Sequence, residues 1–233
     1  MNTLEAVNLT KEYNSTTAVN NLNLQLRKGE IFCLLGQNGA GKTTTINLFL
    51  GFTEASSGFA LINGVEVIPG KSGTKMFIAY IPEVVQLYGT LNGVENLDFF
   101  SRLGGFKYSQ DMLSGYLSKV GLQKEVHHKR LSAYSKGMRQ KVGIAIALAK
   151  NADVILMDEP ISGLDPKATA EFTAICKELA EEGKTIFMAT HDIFNAVNVG
   201  TRIGIMKAGN LVHTLNASDI TAGELQQLYL ETI

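Results

Sequence analysis

Hydrophobic residues fall along this chain in three rhythms, and each predicts a different kind of element. Loose alternation comes first. Leu4–Tyr13 and the run holding Leu22, Leu24 and Leu26 read as strands, separated by the turn-prone Asn14–Thr17 and ended by Arg27–Glu30. Together they predict an antiparallel edge layer beside the strand that follows. Unbroken apolar runs form the second rhythm. Ile31–Leu35 and Val154–Met157 read as parallel strands covered on both faces, and Phe77–Ile81, stopped by Pro82, and Thr185–Thr190 as two further strands. Phe59–Ile62 and Val65–Val67, joined by Asn63-Gly64, carry the signal of a tight hairpin, and Ile203–Leu215 turns at Ala208-Gly209-Asn210.

The third rhythm is helical and takes over from Leu87 to Asn151. Val94, Leu97 and Phe100–Leu103 form one face; Met112, Leu113, Tyr116, Leu117 and Val120 form another. Gly104, Gly105 and Gly121 punctuate them, and a long helix follows with Val142, Ala145, Ile146 and Ala149 on one side. Two more helices are expected, one past Phe172, Ile175 and Leu179 to Gly183, and a short one holding Leu225 and Leu228. The pattern predicts a single α/β domain over residues 1–233. Its parallel-sheet core carries an N-terminal antiparallel β layer and a helical subdomain inserted at about residues 85–151.

Composition narrows the classes. A chain of 233 residues can fill one α/β domain with a substantial core, and 45% hydrophobic with 18% charged residues is ordinary for a globular protein. The net charge of -1 supplies no general attraction to nucleic acid or anionic lipid, so a phosphate ligand needs a local site. The longest apolar stretch, Val142–Ala149, is far short of the ~20 residues that cross a bilayer. The start MNTLEAV lacks the basic and apolar regions of a secretory signal, and Cys33 and Cys176 sit in apolar patterns like core thiols. A cytoplasmic chain is expected.

The chemistry gathers behind Ile31–Leu35. Gly36, Gln37, Asn38, Gly39, Ala40, Gly41, Lys42, Thr43 and Thr44 give G-x-x-x-x-G-K-T between that strand and a helix over Thr45–Leu50. The glycines let backbone N–H groups curl around a triphosphate, and the helix start adds unpaired donors. Lys42 would reach the β- and γ-phosphates, Thr43 the Mg2+ that accompanies ATP, and Thr44 the α-phosphate. Tyr13, ahead of the loop, can stack on a purine ring for about 1–3 kcal/mol or serve as a half-buried strand residue.

Other strand ends carry candidates too. Asp158 and Glu159 leave the carboxyl end of Val154–Met157, where ligands of open α/β sheets bind, placed to hold Mg2+ and to accept a proton from an attacking water. His191 leaves Thr185–Thr190 in the same way, and Glu83 stands at the exit of Phe77–Ile81. Ser135 is a helix N-cap with Gly137 in the first turn, and Asp165 with Pro166 is another; taken alone, both need no function to explain them.

In order and spacing, GQNGAGKTT, AYSKGMRQ, VILMDEP, SGLD and ATHD resemble the nucleotide-binding subunit of an ATP-binding cassette transporter along the entire chain. The resemblance implies the P-loop NTPase fold of RecA type. It also implies a head-to-tail dimer with a second copy or a homologous cassette, which sandwiches ATP between the phosphate loop of one subunit and Ser135, Lys136, Gly137 and Met138 of the other. Asp165 and His191 would line that interface, and Glu83 would approach the magnesium. The implied partner is an integral membrane permease, with the cassette on the cytoplasmic face and no nucleic acid involved. Two departures stand out: Lys136 and Met138 occupy a glycine and a glutamine position of the commoner LSGGQ, and Glu83 stands where many relatives carry glutamine. Both are similar to stand-alone cassettes that pair with a separate permease, often in export, including those of antibiotic resistance and of nitrous oxide reductase maturation. A soluble ATPase acting on DNA or ribosomes, and a nucleotide-gated module without turnover, are the alternatives. Against the first stand the missing basic face and coiled-coil insertion; against the second, the presence of Glu159 and His191.

Overall fold

In the computed structural model, which describes residues 2–233, the N-terminal alternation is loose for a local reason. β1 (Asn2–Tyr13) and β2 (Thr16–Arg27) pair antiparallel, but their register shifts between Ala6 and Leu9, Leu9 and Lys11, and Lys11 and Glu12. Asn8 and Asn21 sit at φ 48° and 47° beside these bulges. Each bulge resets which residues point inward, so a strict period of two never builds up.

β3 (Ile31–Leu35) follows, buried throughout, and empties into the phosphate-loop sequence. The helix behind it, α1 (Lys42–Leu50), starts at Lys42 rather than at Thr45, because Gly41 at φ 110° closes the loop as its N-cap. A Cβ on Gly41 would lie 2.3 Å from the Ala18 carbonyl oxygen, so no other residue fits there. β4 (Ser57–Ile62) and β5 (Val65–Glu66) form the tight hairpin, with Asn63 at φ 50° and Gly64 at φ 77°. This hairpin joins β1 and β2 in a separate sheet of order β2-β1-β4-β5. The expected edge layer beside β3 is thus corrected: it is not hydrogen-bonded to that strand but laid across its face.

β6 (Ile78–Ile81) is followed by α2 (Gly93–Leu103), α3 (Gln110–Lys119) and α4 (Lys136–Ala149), and then by β7 (Val154–Asp158). The sequence faces of α2 and α3 need trimming. Leu103 is 69% and Met112 50% exposed. At about 100° per residue Leu103 lies opposite the buried Ser101, and Met112 falls beside the buried Leu113–Leu117 stripe.

The remainder is α5 (Pro166–Glu181), β8 (Thr185–Thr190), α6 (Ile193–Val199), β9 (Arg202–Lys207), β10 (Asn210–Asn216) and α7 (Ala222–Thr232). The sequence pattern did not show α6, which is short and held by its Asp192 cap. Nor did it show that β9, while paired with β10 in the tail hairpin, also pairs in parallel with β3. The resulting six-stranded sheet has the order β10-β9-β3-β8-β7-β6. Among the described residues no helix is long and apolar enough to cross a membrane.

Alternate residues of the central strands feed two cores. Phe32, Leu34, Leu156, Phe187 and Ala189 face α1 and the antiparallel sheet, while Cys33, Leu35, Ile155, Met157, Ile186 and Met188 face the helices on the other side. Two-sided burial is why these runs lack polar residues. Burial also pushes the Cys33 thiol up to about 12, so it stays a neutral core group. Phe187 centres the first core, 5.8 Å from the Phe32 ring and 5.4 Å from that of Phe49. Phe187→Ala is expected to cost about 3–5 kcal/mol in chemical denaturation; a loss below about 1 kcal/mol would contradict this packing.

Candidate functional site

Strand register assembles the site. Leu35 lies opposite Thr190 in the β3–β8 ladder and Asp158 opposite Ala189 in the β7–β8 ladder. The chain therefore leaves the sheet at Gly36, Glu159 and His191 on one level. Around that level is a cavity of about 300 Å³, lined by Gln37, Asn38, Gly39, Gly41, Lys42, Thr43, Thr44, Glu83, Asp158, Glu159 and Ala18. Gly41 caps α1 without any side-chain hydrogen bond, so the first-turn N–H groups remain for an anion.

Lys42 is buried and folded back on the loop, donating to Gly36 O at 2.6 Å and Gln37 O at 3.3 Å. Its ammonium is 3.8 Å from Glu159 Oε1. Thr43 Oγ1 donates to Asp158 Oδ2 at 2.9 Å, joining the loop to β7. The Asp158 carboxyl is raised above the usual carboxylate range, first by burial and then by Glu159 and Glu83, against the lowering pull of Thr43 and Lys42. This hydroxyl and carboxylate are hard oxygen donors of the kind that suits Mg2+. Among the described residues no group of three or more His, Cys, Asp or Glu side chains forms a ready-made metal cluster.

Glu159 is the most constrained residue. Its φ is 46°, its N–H donates to Ala189 O at 2.9 Å, and the left-handed backbone costs about 1–3 kcal/mol. Glu159 Oε2 lies 2.8 Å from His191 Nδ1 and accepts from the His191 backbone N–H at 3.3 Å. A carboxylate can only accept, so Nδ1 carries the proton of that contact. Glu159 Oε1 is buried with no hydrogen-bond partner. Oε1, which accepts no hydrogen bond but faces the Lys42 ammonium, is the oxygen left to take a proton from a small ligand such as water.

The structure does not bring every sequence candidate to this cavity. Ser135 caps α4 by accepting from Met138 N at 3.3 Å, and Asp165 caps α5 by accepting from Ala168 N at 2.9 Å. With Gly137 and Met138 these caps line a second cavity of about 300 Å³. The two helix starts touch, since a Cβ on Gly137 would lie 3.1 Å from Ala168 Cβ. Lys136 reaches across, its Nζ 3.7 Å from Glu83 Oε1. Tyr13, 46% exposed with Lys11 Nζ 4.8 Å from its ring centre, lies outside the cavity lining. Ala40, within the loop, is buried and packs into the core. Sequence reasoning missed Ala18, which touches Gly41 through its carbonyl and so has no side-chain signal. It also missed Tyr229, whose hydroxyl is pushed up first by burial and then by the nearby Glu159.

The family model described as ABC transporter matches residues 19–162. The chain belongs to that family. It is similar to the bacitracin transport ATP-binding protein BcrA of Enterococcus faecalis, 37% identical over 93% of this chain and 70% of that protein. A solved ATP-binding subunit of an ABC transporter superposes with a TM-score of 0.84 at 29% identity, covering 98% of each chain. A dimeric cassette in a post-hydrolysis state bound to ADP and Pi gives a TM-score of 0.80 at 25% identity, over 92% of this chain and 98% of that one. The protein is therefore an ATP-binding subunit of the ABC transporter family and an ATPase, with the P-loop NTPase fold. Lys42→Ala is expected to abolish measurable binding of a fluorescent ATP analogue, because the loop loses its one lysine. Unchanged affinity would contradict the assignment of the loop.

Proposed function

We propose that this chain is the ATP-hydrolysing motor of an exporter. It dimerises head to tail around two Mg2+-ATP and drives a separate integral membrane permease from the cytoplasmic face. One observation carries the reading: the residues proposed as the two halves of an ATP sandwich line two different cavities of one chain. Lys42, Thr43, Asp158, Glu159 and Glu83 line one cavity, while Ser135, Gly137, Met138 and Asp165 line another. The capped start of α4 offers N–H groups to an anion, and it lines a different cavity from its own phosphate loop. A second copy supplies that anion. In this reading residues 1–233 act as one cassette, with residues 85–151 as its helical insert.

The steps follow from the positions. Gly36–Thr44 and the start of α1 hold the phosphates, and Lys42 exchanges the carbonyls of Gly36 and Gln37 for phosphate oxygens. Thr43 and Asp158 would hold Mg2+, with Glu83 close by, and the ion would offset the charge that builds on the phosphates. Glu159 Oε1 accepts the proton of the attacking water while His191 keeps Oε2 in place. Tyr13, exposed at the end of β1, is the candidate platform for the adenine ring.

An exposed aromatic cluster supports a permease partner. Tyr88 and Phe99 are 50% and 36% exposed with ring centres 4.9 Å apart, and Phe100 lies 5.4 Å from Phe99. Val84, 54% exposed, follows Glu83 in the same connection. Aromatic patches of this kind mark interfaces. The export direction is supported by a relative named for linearmycin resistance, 32% identical over 93% of this chain, because resistance fits a compound carried outward.

Glu159→Gln keeps the shape and removes the base. Hydrolysis is expected to slow by about 10² to 10⁴ while ATP still binds, so a dimer accumulates in sizing chromatography. Normal turnover, or a monomer under saturating ATP, would count against the sandwich. For the permease, Tyr88→Glu is the selective change, because Asn96 holds the Tyr88 backbone N–H and carbonyl at 2.9 and 3.0 Å whatever its side chain. Basal hydrolysis should be unchanged and stimulation by the reconstituted permease lost. Equal stimulation of both proteins would remove this surface from the interface.

A further inference from the structure

One face of α4 grips the connection that carries Glu83. Lys136, Gln140 and Gly143 stand at i, i+4 and i+7, along one side of the helix. A Cβ on Gly143 would lie 3.2 Å from Val85 Cγ2 and 3.8 Å from Ile81 Cγ2, so the bare glycine lets the connection come in close. One turn toward the N-terminus, Gln140 is fully buried and its Nε2 donates to Pro82 O at 3.2 Å and Glu83 O at 2.9 Å. Flipped, the amide would set its oxygen against two carbonyl oxygens, so only one orientation works. That orientation leaves Oε1 buried without a partner, a penalty that an apolar residue would not incur. Another turn on, Lys136 Nζ meets the Glu83 carboxylate at 3.7 Å. Gln140 does not line the phosphate cavity; Glu83 does.

We infer that this face of α4 is the positioning device for Glu83. The Gln140 amide fixes the main chain of the connection beside the phosphate cavity, and Lys136 draws the carboxylate aside until Mg2+-nucleotide competes for it. The inference rests on the reading of Glu83 as a group that meets Mg2+, and deepens it: of the three residues that depart from the commoner family motifs, Lys136, Met138 and Glu83, two meet in one contact. The same helix also presents the Ser135 cap, so the carboxylate at one nucleotide and the cap offered to the partner's nucleotide move as one body.

The two contacts predict shifts of opposite sign. The chain contains no Trp, so Val84→Trp, at an exposed position next to Glu83, gives a single fluorescent reporter of the connection. Two quantities are read: its anisotropy without nucleotide, and the Mg2+ concentration at which a fluorescent ATP analogue reaches half of its Mg2+-dependent binding. Gln140→Met, similar in length but unable to donate, should lower the anisotropy and raise the Mg2+ requirement by about tenfold, leaving Mg2+-free binding unchanged. Lys136→Met should lower the requirement by about two- to fivefold, the range expected of a partly exposed ion pair. Adding Glu83→Ala to Gln140→Met should produce no further shift, since both act on one carboxylate. If Gln140 only packs, Gln140→Met will lower the melting temperature without moving anisotropy or Mg2+ requirement, and the inference is overturned. If Glu83→Ala alone leaves the Mg2+ requirement unchanged, the reading of Glu83 fails and the inference falls with it.

Discussion

Three neighbouring parallel strands, β3, β8 and β7, end at one level because Leu35 lies opposite Thr190 and Asp158 opposite Ala189. That register depends on packing on both faces of the sheet, with Phe32 and Phe187 stacked on one side and Cys33, Met157 and Met188 buried on the other. A slip of one residue would send the large rings to the helical face and carry the loop about 3.3 Å along its strand. Lys42, Thr43, Asp158 and Glu159 would then no longer share a cavity. The apolar strands, which carry no chemistry themselves, set where the chemistry can occur.

Against that rigid floor the site residues break local rules. Glu159 holds a left-handed backbone without being glycine, one of its oxygens is buried without a partner, and Asp158 beside it is held above the ordinary carboxylate range by burial. Such departures persist only where the surroundings over-determine them, and here the Ala189 carbonyl, His191 and Lys42 do so. The Glu159 carboxylate is held in one orientation by its contacts with His191. Three carboxylates, Glu83, Asp158 and Glu159, line one cavity with Lys42, an arrangement that favours a bound cation.

Much of this could be read in the sequence, for physical reasons that differ by element. Buried strands announced themselves because two-sided burial selects apolar residues, as in Ile31–Leu35 and the Ile186–Ala189 centre of Thr185–Thr190, and the bounds of both runs match β3 and β8. The loop announced itself through Gly41, where nothing larger fits under the Ala18 carbonyl. The β1–β2 layer was misplaced because local alternation says that a strand has a wet face, not which sheet it joins. Likewise β9 pairs with β3 through backbone groups of residues far apart in sequence, leaving no local trace. Ser135 and Asp165 were legible as caps, but their distance from the phosphate loop was not, since it depends on how α4 and α5 pack. Gln140 was hidden for the opposite reason: its contacts are main-chain carbonyls, and a glutamine within a helix carries no signal of its own.

The phosphate loop with the acids lines one cavity and the helix starts of α4 and α5 line another, and the proposed function treats them as two halves of one site. Joining them across two copies accounts for both and gives the capped helix an anion to face. Amide hydrogen exchange on the Glu159→Gln protein with Mg2+-ATP, at concentrations below and above its dimerisation, tests this most directly. The account predicts protection of residues 36–44 at both concentrations and of residues 135–138 only when the dimer forms. Protection of 135–138 in the monomer, or none in the dimer, would contradict it.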